Sequence, residues 1–241
     1  MILYYLLITF DIIQISYIKR MIEPRCKNKK KVRRSKLILL ELNHNNELCV
    51  ILFRNKRWNN FVTLGGRVDK LDINFESALI REVKEESFNL IDISDIINIP
   101  NRIKYIDFQD NNNNEIVRVY FLLINNELFD DKIYKTNKDI LKNTDKYVPK
   151  AWKELDDYDK FPIKNILNSY DYRNNEYSKC YTINDEQKSV YIPIIDYINE
   201  ASRLNIIDDL LKTYSIVKDY VLTNDVSDTF LNGTSTIKIK N

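Results

Sequence analysis

A chain of 241 residues, 44% hydrophobic and 30% charged, has the balance of a globular protein with one core and some additions, which excludes wholesale disorder and a membrane bundle. A formal net charge of +2 is too small to argue for a nucleic-acid or membrane partner by bulk electrostatics. Cys26, Cys49 and Cys180, odd in number and widely spaced, fit neither a disulfide framework nor a zinc site and point to a reducing compartment.

The first eighteen residues, MILYYLLITFDIIQISYI, are apolar, but Asp11 and Gln14 interrupt the run and no Lys or Arg precedes it. They meet the requirements of neither a membrane span nor a signal peptide, so no stable membrane association is expected, with a signal or membrane anchor as the minor reading. Extra β structure on the core and a true start at Met21 are the other two readings. Residues 25 to 36, RCKNKKKVRRSK, form a basic run: a solvated linker or strand lead-in, or a surface for phosphates and RNA. Residues 1–35 are taken together as an N-terminal extension, apolar then basic.

Residues 36 to 43 and 47 to 54 are β-rich and are joined by His44-Asn45-Asn46, which predicts a hairpin. A short strand, Phe61-Val62-Thr63-Leu64, stops at Gly65-Gly66. The chain has only 3 glycines, so an adjacent pair is not filler; each can adopt backbone angles that other residues avoid. A helix is predicted from about 75 to 88, with Asn74 as N-cap, Glu76 in its first turn, and Phe75, Leu79 and Val83 at four-residue spacing. Residues 102 to 108 and 115 to 125 flank DNNNN and predict a second hairpin. Residues 127 to 150 read as a long loop, Trp152 to Leu155 as a closing strand, and DKFPIKNIL as a turn into a short helix. A small hairpin at 179 to 192, two helical stretches near 194 to 221 and a loose tail complete the chain. The class is α+β with mainly antiparallel strands, the main domain covering 36–175 and a C-terminal hairpin and helical extension covering 176–241.

The chemistry lies in 65 to 88, GGRVDKLDINFESALIREVKEESF. On a helix Glu82, Glu85 and Glu86 gather on one side, and Glu82 and Glu86 fall at the border of the apolar stripe. Such carboxylates repel one another and lose hydration, a cost that a hard divalent ion with oxygen ligands offsets. Arg81, one turn before Glu85, can pair with it, whereas Lys84 points to solvent. A lone EVKEE would be read as a solvated acidic face. A strand ending in two glycines and followed by a capped helix is a rarer combination, in which the glycines let backbone groups approach a metal or phosphate closely.

The segment resembles the Nudix box: Gly, five residues, Glu, seven residues, then Arg-Glu-apolar-x-Glu-Glu-x-Gly-apolar. Gly66 matches the opening glycine, and Arg81, Glu82, Val83, Glu85 and Glu86 match the central run without a gap. The loop is one residue longer than the pattern. Asp72 stands where the family has its first glutamate, with Glu76 as the alternative occupant, and Phe88 replaces the last glycine, leaving Asn89 to supply a left-handed cap. The resemblance implies the Nudix fold, a mixed β-sheet sandwiched between α-helices. It also implies metal-dependent hydrolysis of a phosphoanhydride bond in a nucleoside diphosphate linked to another moiety. Catalysis would fall to Glu82, Glu85 and Glu86 with Arg81, and Mg2+ or Mn2+ would be held by the three glutamates and the carbonyl of Gly65. A further acid from a later loop often completes such sites; Glu127, Asp130, Asp131, Asp139 and Asp145 are the candidates.

Two narrower readings stand beside this one. An mRNA-cap decapping hydrolase would use the basic run, with Trp58 to stack a base, although aromatic residues are more often core. A catalytically silent nucleotide-binding module would account for the lengthened loop and the missing glycine. His44, the only histidine, falls in a turn, which leaves no His-based triad, and no GxxxxGK[ST] loop occurs. Asn232-Gly233-Thr234 matters as a glycosylation acceptor only in a secreted chain. A nucleotide substrate and a cytoplasmic setting, the host's for a viral chain, complete the expectation.

Overall fold

The computed structural model describes residues 31–87, 91–99, 101–110, 114–124, 134–136, 138–139, 154–169 and 177–223. The expectations for residues 1–30, Phe88, Asn89, Trp152 and the tail with its glycosylation triplet lie outside them, as does Cys26. Cys49 and Cys180 are both buried and free. Among the described residues no helix is long and apolar enough to cross a membrane.

β1 (Val32–Leu42) and β2 (Leu48–Asn55) pair antiparallel from Leu39↔Ile51 to Leu42↔Leu48. Their turn is held by the Asn43 side chain, whose Oδ1 accepts from the backbone N–H groups of Asn45 and Glu47, both at 2.9 Å. Asn46 takes the left-handed conformation, φ 58°, that Asn tolerates in a tight turn. β3 (Asn60–Val62) returns on β2. α1 (Phe75–Glu86) follows, and then β4 (Ile103–Asp110) and β5 (Glu115–Ile124) form the second predicted hairpin. β6 (Leu155–Pro162) runs antiparallel along β2, so Asp159 to Pro162 are strand rather than the expected turn; α2 (Ile163–Asn168) starts directly after it. β7 (Tyr177–Tyr181), β8 (Gln187–Tyr191), α3 (Ile192–Arg203) and α4 (Ile206–Thr223) end the described chain.

One eight-stranded mixed sheet results, in the order β4-β5-β1-β2-β3-β8-β7, with β6 on β2. Two pairings are parallel, β1 with β5 over ten residue pairs and β3 with β8 at Phe61↔Val190. The hairpin expected within a C-terminal extension is therefore part of the same sheet.

Alternation along β1 divides the core. Ile38 and Leu40 point to a cluster completed by Ile166 of α2, Ile194, Ile195, Ile198 and Ala201 of α3, and Ile207 and Leu210 of α4. Leu37 and Leu39 point the other way, to Phe75, Leu79 and Val83 of α1. Burying each such Leu, Ile, Val or Phe side chain contributes about 1.5 to 3 kcal/mol. Helices thus cover both faces of a mixed sheet, the sandwich expected from the sequence.

Candidate active site

β1 has two neighbours along one edge. Its second half lies on β2, and its first half meets the chain just after β3, through bridges Leu37↔Leu64 and Arg34↔Arg67. Leu37 N–H donates to Leu64 O and Ser35 N–H to Gly66 O, both at 2.9 Å. Gly65 is thereby pressed onto β1 with φ at 112°, and a Cβ there would sit 2.2 Å from Ser35 O. Only glycine fits that bend.

α1 begins where the sequence predicts. Asn74 accepts from Ser77 N–H at 2.8 Å, and Ser77 Oγ accepts from Asn74 N–H at 3.0 Å, a capping box. The helix is docked at this end by Ser35, whose hydroxyl donates to Phe75 O at 2.6 Å. Arg33 and Arg118 lie over the Phe75 ring at 4.3 and 4.6 Å. Glu76 is engaged away from the box: Tyr120 Oη donates to it at 2.6 Å and Arg118 Nη1 at 3.2 Å. The last helical residue is Glu86, with Ser87 N–H bonded to Val83 O.

The glycine pair and the helical acids meet. Glu86 accepts from Gly65 N–H at 2.5 Å, and a Cβ on Gly66 would lie 2.4 Å from the Glu82 carboxylate, so the second glycine leaves room for that group. Lys36 Nζ donates to Gly65 O at 2.6 Å. Dehydration pushes the Glu86 carboxyl well above the usual carboxylate range, against the charge of Lys36 and the Gly65 N–H. Glu82 is raised for the same reason, while Arg81 opposes the shift. Lys36 is lowered, by its own dehydration first.

Arg81 ties the loop to the helix. Its Nε and Nη2 donate to Asp72 at 3.2 and 2.9 Å, Nη2 to Arg67 O at 3.1 Å, and Nη1 to Glu82 at 2.9 Å. The expected pairing with Glu85 is the longest of these contacts, at 3.5 Å. Asp72, not Glu76, therefore partners Arg81. Lys84, expected to face solvent, pairs with Asp92 at 2.7 Å.

The donor set of Glu82, Glu85, Glu86 and Gly65 O consists of oxygens alone, which suits a hard divalent ion. Dehydration raises both Glu82 and Glu86, and a neighbouring carboxylate adds to each shift, Glu85 to that of Glu82 and Glu82 to that of Glu86. As they stand, no three His, Cys, Asp or Glu side chains among the described residues are grouped to hold an ion. Cationic side chains hold these donors instead, Arg81 on Glu82 and Glu85 and Lys36 on Gly65 O.

Of the later acids named from sequence, only Asp139 lies within the described residues, and it is exposed. Sequence reasoning missed Glu154, whose charge raises Glu86 further. Strand pairing brings it there: β6 lies on β2 with Leu155 opposite Asn55, and Lys56 N–H donates to Glu154 O at 2.9 Å. The basic run also reads differently in three dimensions. Arg33 stacks on Phe75, Arg34 pairs with Glu115 and Lys36 reaches Gly65, so these cations serve the fold. Trp58, weighed as core, is 60% exposed, with the Arg57 guanidinium 5.2 Å from its ring centre.

No protein-family model and no curated protein matches the chain. Solved structures similar to it include a MutT/nudix family protein from Enterococcus faecalis, 16% identical at TM-score 0.43, covering 73% of this chain and 63% of that one. The NUDIX domain of Shewanella oneidensis NrtR complexed with ADP ribose is 14% identical at TM-score 0.36, covering 61% and 81%. The C. elegans Ap4A hydrolase is 16% identical at TM-score 0.27, covering 39% and 69%. At such values these likenesses carry no argument about chemistry, which rests on the site itself.

Proposed function

We propose that the protein is a Nudix-type pyrophosphohydrolase that cleaves a phosphoanhydride bond in a nucleoside diphosphate linked to another moiety, in a cytoplasmic setting. The observation that carries this reading is the contact of Glu86 and Glu82 with Gly65 and Gly66, which puts two box glutamates on the backbone bend. Glu82, Glu85, Glu86 and Gly65 O would hold Mg2+ or Mn2+, and the bound ion would neutralise diphosphate charge and acidify a water. Asp72 fixes Arg81, and Arg81 fixes the rotamers of Glu82 and Glu85. One of the three glutamates accepts the proton of the attacking water. Packing of α1 on the sheet through Phe75, Leu79 and Val83 fixes where that turn sits.

The test is turnover with Mg2+ or Mn2+ on nucleotide sugars, ADP-ribose, Ap4A, oxidised nucleotides and capped RNA. Glu82→Gln, Glu85→Gln and Glu86→Gln are each expected to reduce kcat by about 100-fold or more. Absence of turnover on every substrate, or variants equal to the wild type, refutes the proposal. A second reading, a catalytically silent nucleotide-binding module, is favoured by one observation, the cation of Lys36 on Gly65 O. Metal-dependent nucleotide binding with no product released identifies it.

A further inference from the structure

Lys36 stands on β1 directly opposite the glycine bend, where the missing side chain of Gly65 lets the two backbones approach closely. Its Nζ donates to Gly65 O at 2.6 Å, and its charge acts on Glu86 and Glu82 from the same spot. Arg81 pairs with Glu82 at 2.9 Å and reaches Glu85 at 3.5 Å. Two cations thus flank the site, Lys36 at the Gly65 carbonyl and Arg81 on the helix. A buried carboxylate with no cation nearby is costly, so this arrangement lets the box fold before any ion arrives.

We infer that Lys36 is a resident cation that occupies the Gly65 carbonyl, so that a divalent ion binds here only by displacing its ammonium group from that oxygen. The inference deepens the metal-dependent reading and rests on it. Gly65 O cannot serve the ammonium and a divalent ion well at once, because the two positive charges repel at contact distance. The flexible four-carbon stem gives the ammonium somewhere to go, an option that a rigid guanidinium lacks. Lys36 acts through the position and charge of Gly65, Glu82 and Glu86, and is a positioning residue rather than a catalytic one.

Mn2+ affinity, measured from the electron paramagnetic resonance of free Mn2+ without substrate, tests the inference. Lys36→Met is expected to bind Mn2+ at least about tenfold more tightly than the wild type, since a unit positive charge has left the side of a divalent ion. Lys36→Gln, which keeps a donor for Gly65 O without the charge, shifts in the same direction. Mn2+ should also raise the melting temperature of Lys36→Met more than that of the wild type. If Lys36→Met does not fold alone, recovery of its circular dichroism on adding Mn2+ supports the inference. Affinity in folded Lys36→Met and Lys36→Gln equal to or below the wild type overturns it. Wild-type binding that is lost in Glu82→Gln keeps the metal reading in that case. No Mn2+ binding in any variant defeats both.

Discussion

Asp72 and Arg81 face each other across the loop that feeds α1, with Nε and Nη2 of the arginine donating to the two carboxylate oxygens. The loop closes on the same acid, since Asp69 N–H donates to Asp72 Oδ2 at 2.8 Å and Asp72 N–H to Asp69 O at 3.2 Å. Leu71 and Ile73 are turned out to solvent on either side. Asp72 itself is only 6% exposed, so its charge depends on the guanidinium.

Arg81→Lys keeps the charge but loses the planar fork. It is expected to cost about 2 kcal/mol of stability, because residue 81 then gives Asp72 a single donor where the guanidinium gives two. Urea denaturation checks the stability, and the Mn2+ affinity of the same variant should fall as Glu82 and Glu85 lose the planar fork that fixes their rotamers while the positive charge stays.

Hydrogen bonds from Arg81 hold the Asp72 carboxyl below its unperturbed value of 3.8. A depressed acid stabilises the fold fully above its unfolded pKa, and that contribution disappears as pH falls through the lower folded value. Stability should therefore drop below pH 3.8, and Asp72→Asn, already weakened at neutral pH, should show a shallower acid limb. Equal slopes for the two proteins in pH-dependent urea titrations would contradict this account.

The two glycines should respond differently to alanine. At Gly65 a methyl group meets the backbone of Ser35 at a positive φ, and neither can move without separating β1 from the bend. A loss of about 2 kcal/mol or more is expected, seen as a melting temperature lower by roughly 5 °C or more. At Gly66 the methyl meets only the end of the Glu82 side chain, which can swing aside. Gly66→Ala should melt within a few degrees of the wild type, on the order of a surface change, while its Mn2+ binding and turnover fall.

Tyr120→Phe removes the hydroxyl that donates to Glu76 at 2.6 Å while leaving the packed ring in place. A cost of about 1 kcal/mol is expected. It should appear in urea unfolding with turnover nearly unchanged, since Glu76 lies outside the turn that carries Glu82, Glu85 and Glu86.

The helix was legible because its signals are local: Asn74 as a cap, Phe75, Leu79 and Val83 on one face, and the acids at its border. The β1–β2 turn was legible for the same reason, in Asn43 to Asn46. The roles of Lys36 and Glu154 were not legible, because each is decided by a neighbour across the sheet rather than along the chain. Within a basic run Lys36 has the sequence character of a solvated cation; only the Cβ-free bend opposite it supplies a carbonyl. The parallel register of β1 on β5 was equally hidden, since it joins strands separated by β2, β3, α1 and β4.

The pairing of Phe61 with Val190 ties β3 to a strand made much later in synthesis. While the ribosome is still at work, β3 lacks that neighbour, and the bend that follows it has no completed sheet to lean on. A polypeptide cut short before β8 would carry every glutamate of the box on a sheet still open at that edge.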